Sequence, residues 1–447
     1  QLELITPPNK NKETTLIFLD EMQHFVSKNI GSETLWPFSI PPQIFSDNDI
    51  PIAEFGSSNL GLFKNLYRKG LSNRYGRKMQ SISGIHYNYS LPEELWPIIS
   101  SDKNNLNSIR SDAYFGMLRN LYRMNWIILY FFGCSPIISK ELIDGDKGDF
   151  LKLDSNSFYL PYATSLRMSD FGYQNSKRSL DVSLNSIDEY IANLMEATAT
   201  VDQKFLELEK NGLEVQISPN ILQIEDEFYA IARAKSQDLS NDRSLKKLKK
   251  SGVEFIELRS IDINPFSVLG IDKDSVYFIE MFLIYCFFKP SAPLSKASLE
   301  TLKSNDLLVS KFGRDKKLKI KREENPINLK DWGIEILDEM TEIAESMDNN
   351  DKKYSNAIRR FKGELEDPNK TLSSKLLDRI FTEKISYFDL GFTLAEQNKS
   401  HYENRRVSDN SLWKLLQDES VSSIHRQKSI EKNDSGSFED FKENYFR

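Results

Sequence analysis

The 447-residue sequence contains little of what disulfide scaffolds and membrane spans require. It has only two cysteines, Cys134 and Cys286, both in apolar segments, so we expect two reduced thiols in the core and no disulfide framework. The longest apolar run, 276–288, includes Glu280 and is shorter than the roughly 20 residues needed to cross a bilayer. We therefore expect no membrane partner, and we expect a cytoplasmic location.

The sequence also lacks an excess of positive charge and several well-known catalytic motifs. Its formal charge of −7 argues against general nucleic-acid binding, which needs a basic face, although a locally basic pocket for an anion remains open. No glycine-rich phosphate loop, dinucleotide fingerprint, serine elbow or cysteine nucleophile pattern is present. An enzyme of this sequence would have to bind its substrates in some other way.

What the sequence does contain is typical of a folded α+β protein. Apolar residues make up 39% and aromatic residues 11% of the chain, well above the range of disordered proteins. Helical spacing predicts helices over 12–29, 63–71, 112–132, 186–209 and 276–288, and alternation predicts strands over 80–92, 221–233 and 252–263. Because no regular βαβ order is present, an antiparallel sheet is predicted. Residues 331–447 are increasingly charged and read as a helical region packed on a domain formed by 1–330.

The segment 80–92 carries an unusual polar face. If it is a strand, its alternation places Gln80, Gly84, His86 and Asn88 on the same side. Glycine in a strand lets another group approach the backbone closely. A strand with one ordinary solvent-facing side explains the same pattern, and other segments must supply matching chemistry to favour a binding site.

Two further predicted strands supply such chemistry. On 221–233 one face carries Glu225, Glu227, Tyr229 and Arg233, and on 252–263 Glu257 and Arg259 share a face, with Asp262 on the other. Glu3 alternates with leucines near the start of the sequence. Carboxylates suit magnesium, and arginine suits phosphate or carboxylate groups, so a polar basin for a nucleotide is one interpretation. Ion pairs between solvent-facing strand residues are the other.

Six blocks, in order along the chain, resemble the proteobacterial type of glutamate–cysteine ligase. They are WPFSIP at 36–41, YRKGLSNRYG at 67–76, SGIHYNYSLP at 83–92, YLPYATSLRMSD at 159–170, LQIEDEFY at 222–229 and IELRSIDINPF at 256–266. The resemblance implies a curved antiparallel sheet that forms a funnel wrapped by helices, related to glutamine synthetase. It also implies the reaction: ATP phosphorylates the γ-carboxyl of L-glutamate, and the amine of L-cysteine displaces the phosphate, which is the first step of glutathione synthesis.

The same resemblance implies roles for individual residues. Mg²⁺ or Mn²⁺ would bind Glu3, His86 and Glu257. Arg259 would contact the ATP γ-phosphate, and Arg167 would hold a substrate carboxylate with help from Tyr229. The pocket for the cysteine substrate would be formed by Tyr67, Gln80, Tyr173 and Tyr229. Asn88 would lie beside this pocket.

The chain departs from the family pattern in two places. The family's metal site also uses an acidic Glu-x-Glu strand and an aspartate that precede the position of Glu3, so we expect a further segment upstream. The family's prolines around the arginine at Arg233 are absent, although Arg233 and Lys235 are kept. Two alternatives to the ligase stay open: a related carboxylate–amine ligase with another amine, and a truncated homologue that binds glutamate without turnover. We expect a monomer.

Overall fold

The computed structural model describes residues 2–44, 46–143, 148–172, 180–209, 215–238 and 242–446. The longer helices are α1 Lys12–Asn29, α2 Asn59–Tyr75, α4 Leu106–Phe132, α5 Ile187–Ala199, α7 Ser244–Ser251, α8 Lys273–Phe288, α9 Lys296–Phe312, α10 Leu329–Met347, α11 Lys353–Glu366, α12 Leu372–Glu383, α13 Tyr387–Glu403, α14 Asn410–Asn433 and α15 Phe438–Phe446, and the one-turn helices are α3 Trp96–Ile99 and α6 Gln203–Leu206. The strands are β1 Ile85–Tyr89, β2 Ile137–Ser139, β3 Leu151–Lys152, β4 Ser157–Tyr159, β5 Ala232–Lys235, β6 Phe255–Ile261, β7 Lys319–Arg322 and β8 Asn325–Asn328.

The strands pair only antiparallel in the described parts of the chain, as predicted. They form three small sheets, ordered β1-β6-β5, β2-β4-β3 and β7-β8. In the first sheet, Asn88 of β1 and Arg233 of β5 both lie opposite Glu257 of the central strand β6. This register places one row of polar residues across the sheet.

The back of the same sheet is buried against helix α4. Alternate residues of β6, namely Ile256, Leu258 and Ser260, are fully buried, while Phe255, Glu257 and Arg259 are only partly so. Ser260 donates a hydrogen bond from Oγ to Oδ1 of Asn125 on α4, at 2.7 Å. Burial of the apolar face therefore determines which face of the strand carries the charged groups.

The core is formed mainly by helices rich in aromatic residues. Phe131 and Phe132 of α4 contact Phe278 of α8 and Phe361 of α11, with ring centroids 5.1–5.8 Å apart, and the rings of Phe278 and Phe361 lie 4.5 Å from each other. Helix α4 contains no proline and ends where Gly133 turns into an extended conformation. The predicted helices at 12–29 and 276–288 correspond to α1 and most of α8. Both cysteines are buried free thiols, as expected.

The predicted strand at 221–233 is wrong. Residues Glu225–Glu227 form a short 3₁₀ turn, and the strand begins only at Ala232. Glu225 is bound by Arg243 through two nitrogens, at 2.8 and 3.1 Å, and Glu227 accepts from Arg74 at 3.0 Å. These carboxylates are therefore buried in structural ion pairs and do not line a polar basin.

The C-terminal helices contact the rest of the chain at several places. Helix α11 packs on α8, α13 and α14 pack on α1, and α15 packs on α2. The division of the chain at residue 330 stays a prediction. Across the described residues, no helix is both long and apolar enough to cross a membrane.

Candidate active site

The charged face of the β1-β6-β5 sheet brings together residues from distant parts of the sequence. Nδ1 of His86 on β1 lies 3.7 Å from Oε1 of Glu257 on β6 and 3.9 Å from Oε1 of Glu3 in the N-terminal segment. Arg259, two residues along β6, donates from Nη1 to Oε2 of Glu257 at 2.9 Å. The four residues that the resemblance assigned to metal and phosphate are thus neighbours.

Positive charge surrounds the carboxylate of Glu257. Burial raises its pKa, but Lys235, Arg259 and Arg233 outweigh this effect, so the pKa lies below its usual value and the group stays ionised. Nε of Arg233 and Nε of Arg259 are both buried without a hydrogen-bond partner among the described residues. Buried donors of this kind are costly unless a ligand satisfies them.

The imidazole of His86 is held in its neutral form. Burial and the charge of Arg259 together lower its pKa to about 4, against the opposing effect of Glu257. A neutral imidazole keeps a lone pair for a metal or a hydrogen bond. No group of three or more histidine, cysteine or acidic side chains in the described parts of the chain is arranged to hold a metal by itself.

Arg167 lies at the end of the same sheet, in the 3₁₀ turn Leu166–Met168. Its Nη2 donates to the backbone oxygens of Arg259, at 3.1 Å, and Ile261, at 2.8 Å. Burial lowers its pKa, but Asp262 and the hydroxyl of Tyr229 raise it by more. Tyr229 also lies 3.5 Å from the sulfur of Met168, measured from its Oη. Arg167 and Tyr229 therefore meet as expected, beside Arg259.

The other residues expected in the pocket are less closely joined. Asn88 is exposed opposite Glu257, and Gln80 lies in the 3₁₀ turn Lys78–Ser81 before β1, with its Nε2 buried and unpartnered among the described residues. Tyr67 is half-buried on α2. Tyr173 lies outside the described residues.

Two residues have contacts at this site that the sequence did not reveal. Asp262, expected on the face opposite Glu257, accepts a hydrogen bond at Oδ1 from Nε of Arg167, at 2.6 Å. Arg233, which the sequence places on a polar face with Tyr229 and which is kept from the family pattern, lies directly across from Glu257. Both side chains are visible in the sequence, but the partner of Asp262 lies about 95 residues away and that of Arg233 about 24 residues away. No local pattern could therefore show these pairs.

Known proteins resemble this chain over most of its length. The family described as glutamate-cysteine ligase matches residues 1–309. Glutamate–cysteine ligases from Aliivibrio salmonicida and Alcanivorax borkumensis are 37% and 35% identical to this chain, each over 100% of the chain and 87% of the relative. The chain belongs to the glutamate–cysteine ligase family.

Solved structures extend the likeness from sequence to fold. The glutamate–cysteine ligase of Francisella tularensis, solved in complex with AMP, aligns with a TM-score of 0.92 and 31% identity over 99% of this chain and 88% of that one. A bifunctional glutathione synthetase from Pasteurella multocida aligns at 0.69 with 23% identity, over 90% of this chain and 47% of its own, and shows a shared fold only. The α+β class, the ligase family and an enzymatic function are thereby confirmed.

Proposed function

We propose that this ligase uses ATP to activate the γ-carboxyl of L-glutamate and joins it to the amine of L-cysteine. The γ-phosphoryl group moves to a carboxylate oxygen and ADP departs. The cysteine amine then attacks the acyl phosphate, loses a proton, and expels phosphate as the amide forms. The observation that supports this best is the cluster of Arg233, Lys235 and Arg259 around one carboxylate, with two buried guanidinium nitrogens that have no hydrogen-bond partner in the part of the chain that the structure describes.

Arg259 is the residue we assign to the transferring phosphoryl group. Its side chain is 17% exposed and its Nη1 is anchored on Glu257, while its Nε has no partner among the described residues. A planar guanidinium fixed in this way offers donors to phosphate oxygens whose charge grows during transfer. Little reorganisation is then required in the transition state.

Arg167 is assigned to a carboxylate of an amino-acid substrate, with Tyr229 beside it. We further propose that Tyr67, Gln80, Asn88 and Tyr173 belong to the pocket for cysteine. Gln80 supports this because its buried amide nitrogen lacks a partner among the described residues, and a polar substrate would satisfy it.

For the metal, we propose that Glu3, His86 and Glu257 bind Mg²⁺ or Mn²⁺. Two carboxylates near one neutral imidazole nitrogen fit part of a coordination shell. Magnesium commonly takes only one or two protein carboxylates and completes its shell with phosphate oxygens and water. When bound, the ion would neutralise charge on the triphosphate. Glu257 and His86 remain ionised and neutral near pH 7, respectively, as metal binding requires.

The decisive experiment is a coupled assay of ADP release. The protein is supplied with ATP, magnesium and glutamate, together with cysteine, 2-aminobutyrate or another amino acid, and the product is identified by mass. Release that depends on cysteine and yields γ-glutamylcysteine supports the proposal. Faster release with another amine would point to a related carboxylate–amine ligase, and glutamate binding without turnover to a non-catalytic homologue.

We also propose that the enzyme acts in the cytoplasm as a monomer. Two buried cysteines that remain free thiols suit a reducing compartment. Light scattering coupled to gel filtration would test the oligomeric state, with a mass near 51.8 kDa expected for this chain.

A further inference from the structure

The guanidinium of Arg167 is fixed from several sides inside the protein. Only 5% of the residue is exposed. Nε is bound by Asp262, and Nη2 by the backbone oxygens of Arg259 and Ile261. The register between β1 and β6 shifts between Ile85 and Tyr87, at the stretch of β6 that supplies these oxygens. Such an irregularity re-aims backbone groups, here toward an arginine side chain.

Asp262 is itself held rigidly and is 1% exposed. Its Oδ2 accepts from the backbone nitrogen of Cys134, at 2.8 Å, and from Oγ of Ser135, at 2.6 Å. The backbone nitrogen of Arg167 in turn donates to Oγ of Ser135 at 3.3 Å. The aspartate therefore joins the end of α4, the end of β6 and the turn that carries Arg167. It has no direct place in the proposed chemistry.

Gly84 bounds the guanidinium on another side. A methyl group at this position would lie 2.7 Å from Cζ and 2.7 Å from Nη1 of Arg167, and 2.9 Å from Nη2. Since real contacts of this kind are not found that close, any larger residue must displace the guanidinium. The glycine just before β1 thus leaves room for an arginine side chain.

We propose that Asp262 and Gly84 are positioning residues, which together orient Arg167 for the carboxylate of an amino-acid substrate. This inference rests on the proposed function, since it takes Arg167 to bind that carboxylate. Asp262 fixes Nε by accepting its hydrogen bond, and Gly84 leaves the space that the guanidinium group occupies. Both act through Arg167 and neither touches substrate. The pair determines the direction in which the guanidinium offers its donors, which is decisive for bidentate recognition.

The test compares kinetic constants of three variants: Arg167→Lys, Asp262→Asn and Gly84→Ala. Arg167→Lys identifies the substrate concerned, because lysine lacks the planar fork and the KM of that amino acid should rise. We expect Asp262→Asn and Gly84→Ala to raise the KM of the same amino acid by about tenfold or more, with the KM of ATP changing by less than about twofold. Gly84→Ala leaves Asp262 and its hydrogen bonds to Cys134 and Ser135 in place, so it tests positioning even if Asp262→Asn folds poorly.

Two matched controls separate positioning from general damage. Asp272→Asn alters another Asp–Arg pair, with Arg360, and keeps a residue suited to cap α8. Gly363→Ala adds a methyl group where nothing lies within 4 Å. Both should retain wild-type constants for all three substrates.

The outcomes distinguish the inference from the proposed function. If the wild-type protein shows no cysteine-dependent ADP release, the proposed function fails. If the wild type is active but both positioning variants keep normal amino-acid KM values, or if the KM of ATP rises in parallel, the inference is overturned while the function stands. A selective rise shared with Arg167→Lys supports it.

Discussion

At the scale of single residues, the site combines one carboxylate with several fixed cations. Glu257 lies opposite Arg233 and accepts a hydrogen bond from Arg259. A carboxylate in this position anchors Arg259 and remains ionised, as the proposed metal site requires. Substitutions at these residues should separate the roles of phosphate contact and metal binding.

Arg259→Ala should lower kcat by about a hundredfold or more, because it removes the positive charge that we propose to meet the transferring phosphoryl group. Arg259→Lys should recover only part of the rate, since an ammonium lacks the planar fork. Steady-state ADP release measures both. Arg322→Ala, which removes an exposed pair with Glu335, serves as the control. Unchanged kcat in Arg259→Ala would reject the assigned role.

Glu257→Gln should raise the magnesium concentration required for half-maximal activity. The amide keeps the size of the side chain but supplies a neutral oxygen, which binds a hard cation more weakly than a carboxylate. A metal titration at saturating ATP and amino acids measures the effect. Glu254→Gln, on a carboxylate that instead accepts from Ser236, is the comparison. Identical titrations for Glu257→Gln and wild type would count against the metal site.

At the scale of secondary-structure elements, the helices behind the sheet contain buried ionisable groups. Glu364 on α11 is 3% exposed, and its Oε2 has no hydrogen-bond partner among the described residues. Burial raises its pKa to about 7, although the nearby charge of Arg360 lowers it in part. The free-energy cost of burying this carboxyl group between the helices therefore depends on pH.

Glu364→Gln should become stabilising relative to wild type as the pH rises. The pKa of this carboxyl is 4.5 in the unfolded chain and about 7 in the folded protein, so wild-type stability falls as the pH rises through this window. Glutamine does not ionise, so the variant does not lose stability in this way. By linkage, the free energy of unfolding that the wild type loses is at most about 3 kcal/mol. Urea unfolding at pH 4.5 and pH 8 measures the difference. Glu366→Gln, exposed on the same helix, should show no such trend.

At the scale of the whole molecule, the C-terminal helices are joined to the first helix through charge. Arg405, after α13, donates to the carboxylates of Asp20 and Glu21 on α1. Glu21 is 2% exposed, and it also accepts from Ser408. An ion pair this deeply placed links residues that lie 384 positions apart.

Arg405→Ala should lower the free energy of unfolding by about 3 kcal/mol, because it removes the arginine that balances the buried charge of Glu21. Adding Glu21→Gln should restore part of the loss by removing the stranded charge. Arg379→Ala, which breaks a surface pair with Glu383, should cost less than about 1 kcal/mol. If urea unfolding of Arg405→Ala shows one transition with unchanged midpoint, the C-terminal helices do not depend on this contact.

The sequence was sufficient for features determined by local pattern or by long matching blocks. Helical spacing located α1 and most of α8, and alternation located β6, because burial of one face imposes a period that is visible in the residues themselves. Six ordered blocks identified the family, and the residue-by-residue resemblance anticipated that Glu3, His86, Glu257 and Arg259 would meet.

Only the tertiary structure decided which polar residues serve the site and which serve the fold. Glu225 and Glu227 lay on a predicted polar face, but in the structure they are paired with Arg243 and Arg74. These arginines lie outside the predicted strand, so its alternation could not show the pairs. Asp262 looked like a residue of the opposite face and instead holds Arg167. The physical reason is that alternation reports which side of a strand a residue occupies, whereas its role depends on the charge that long-range packing brings beside it.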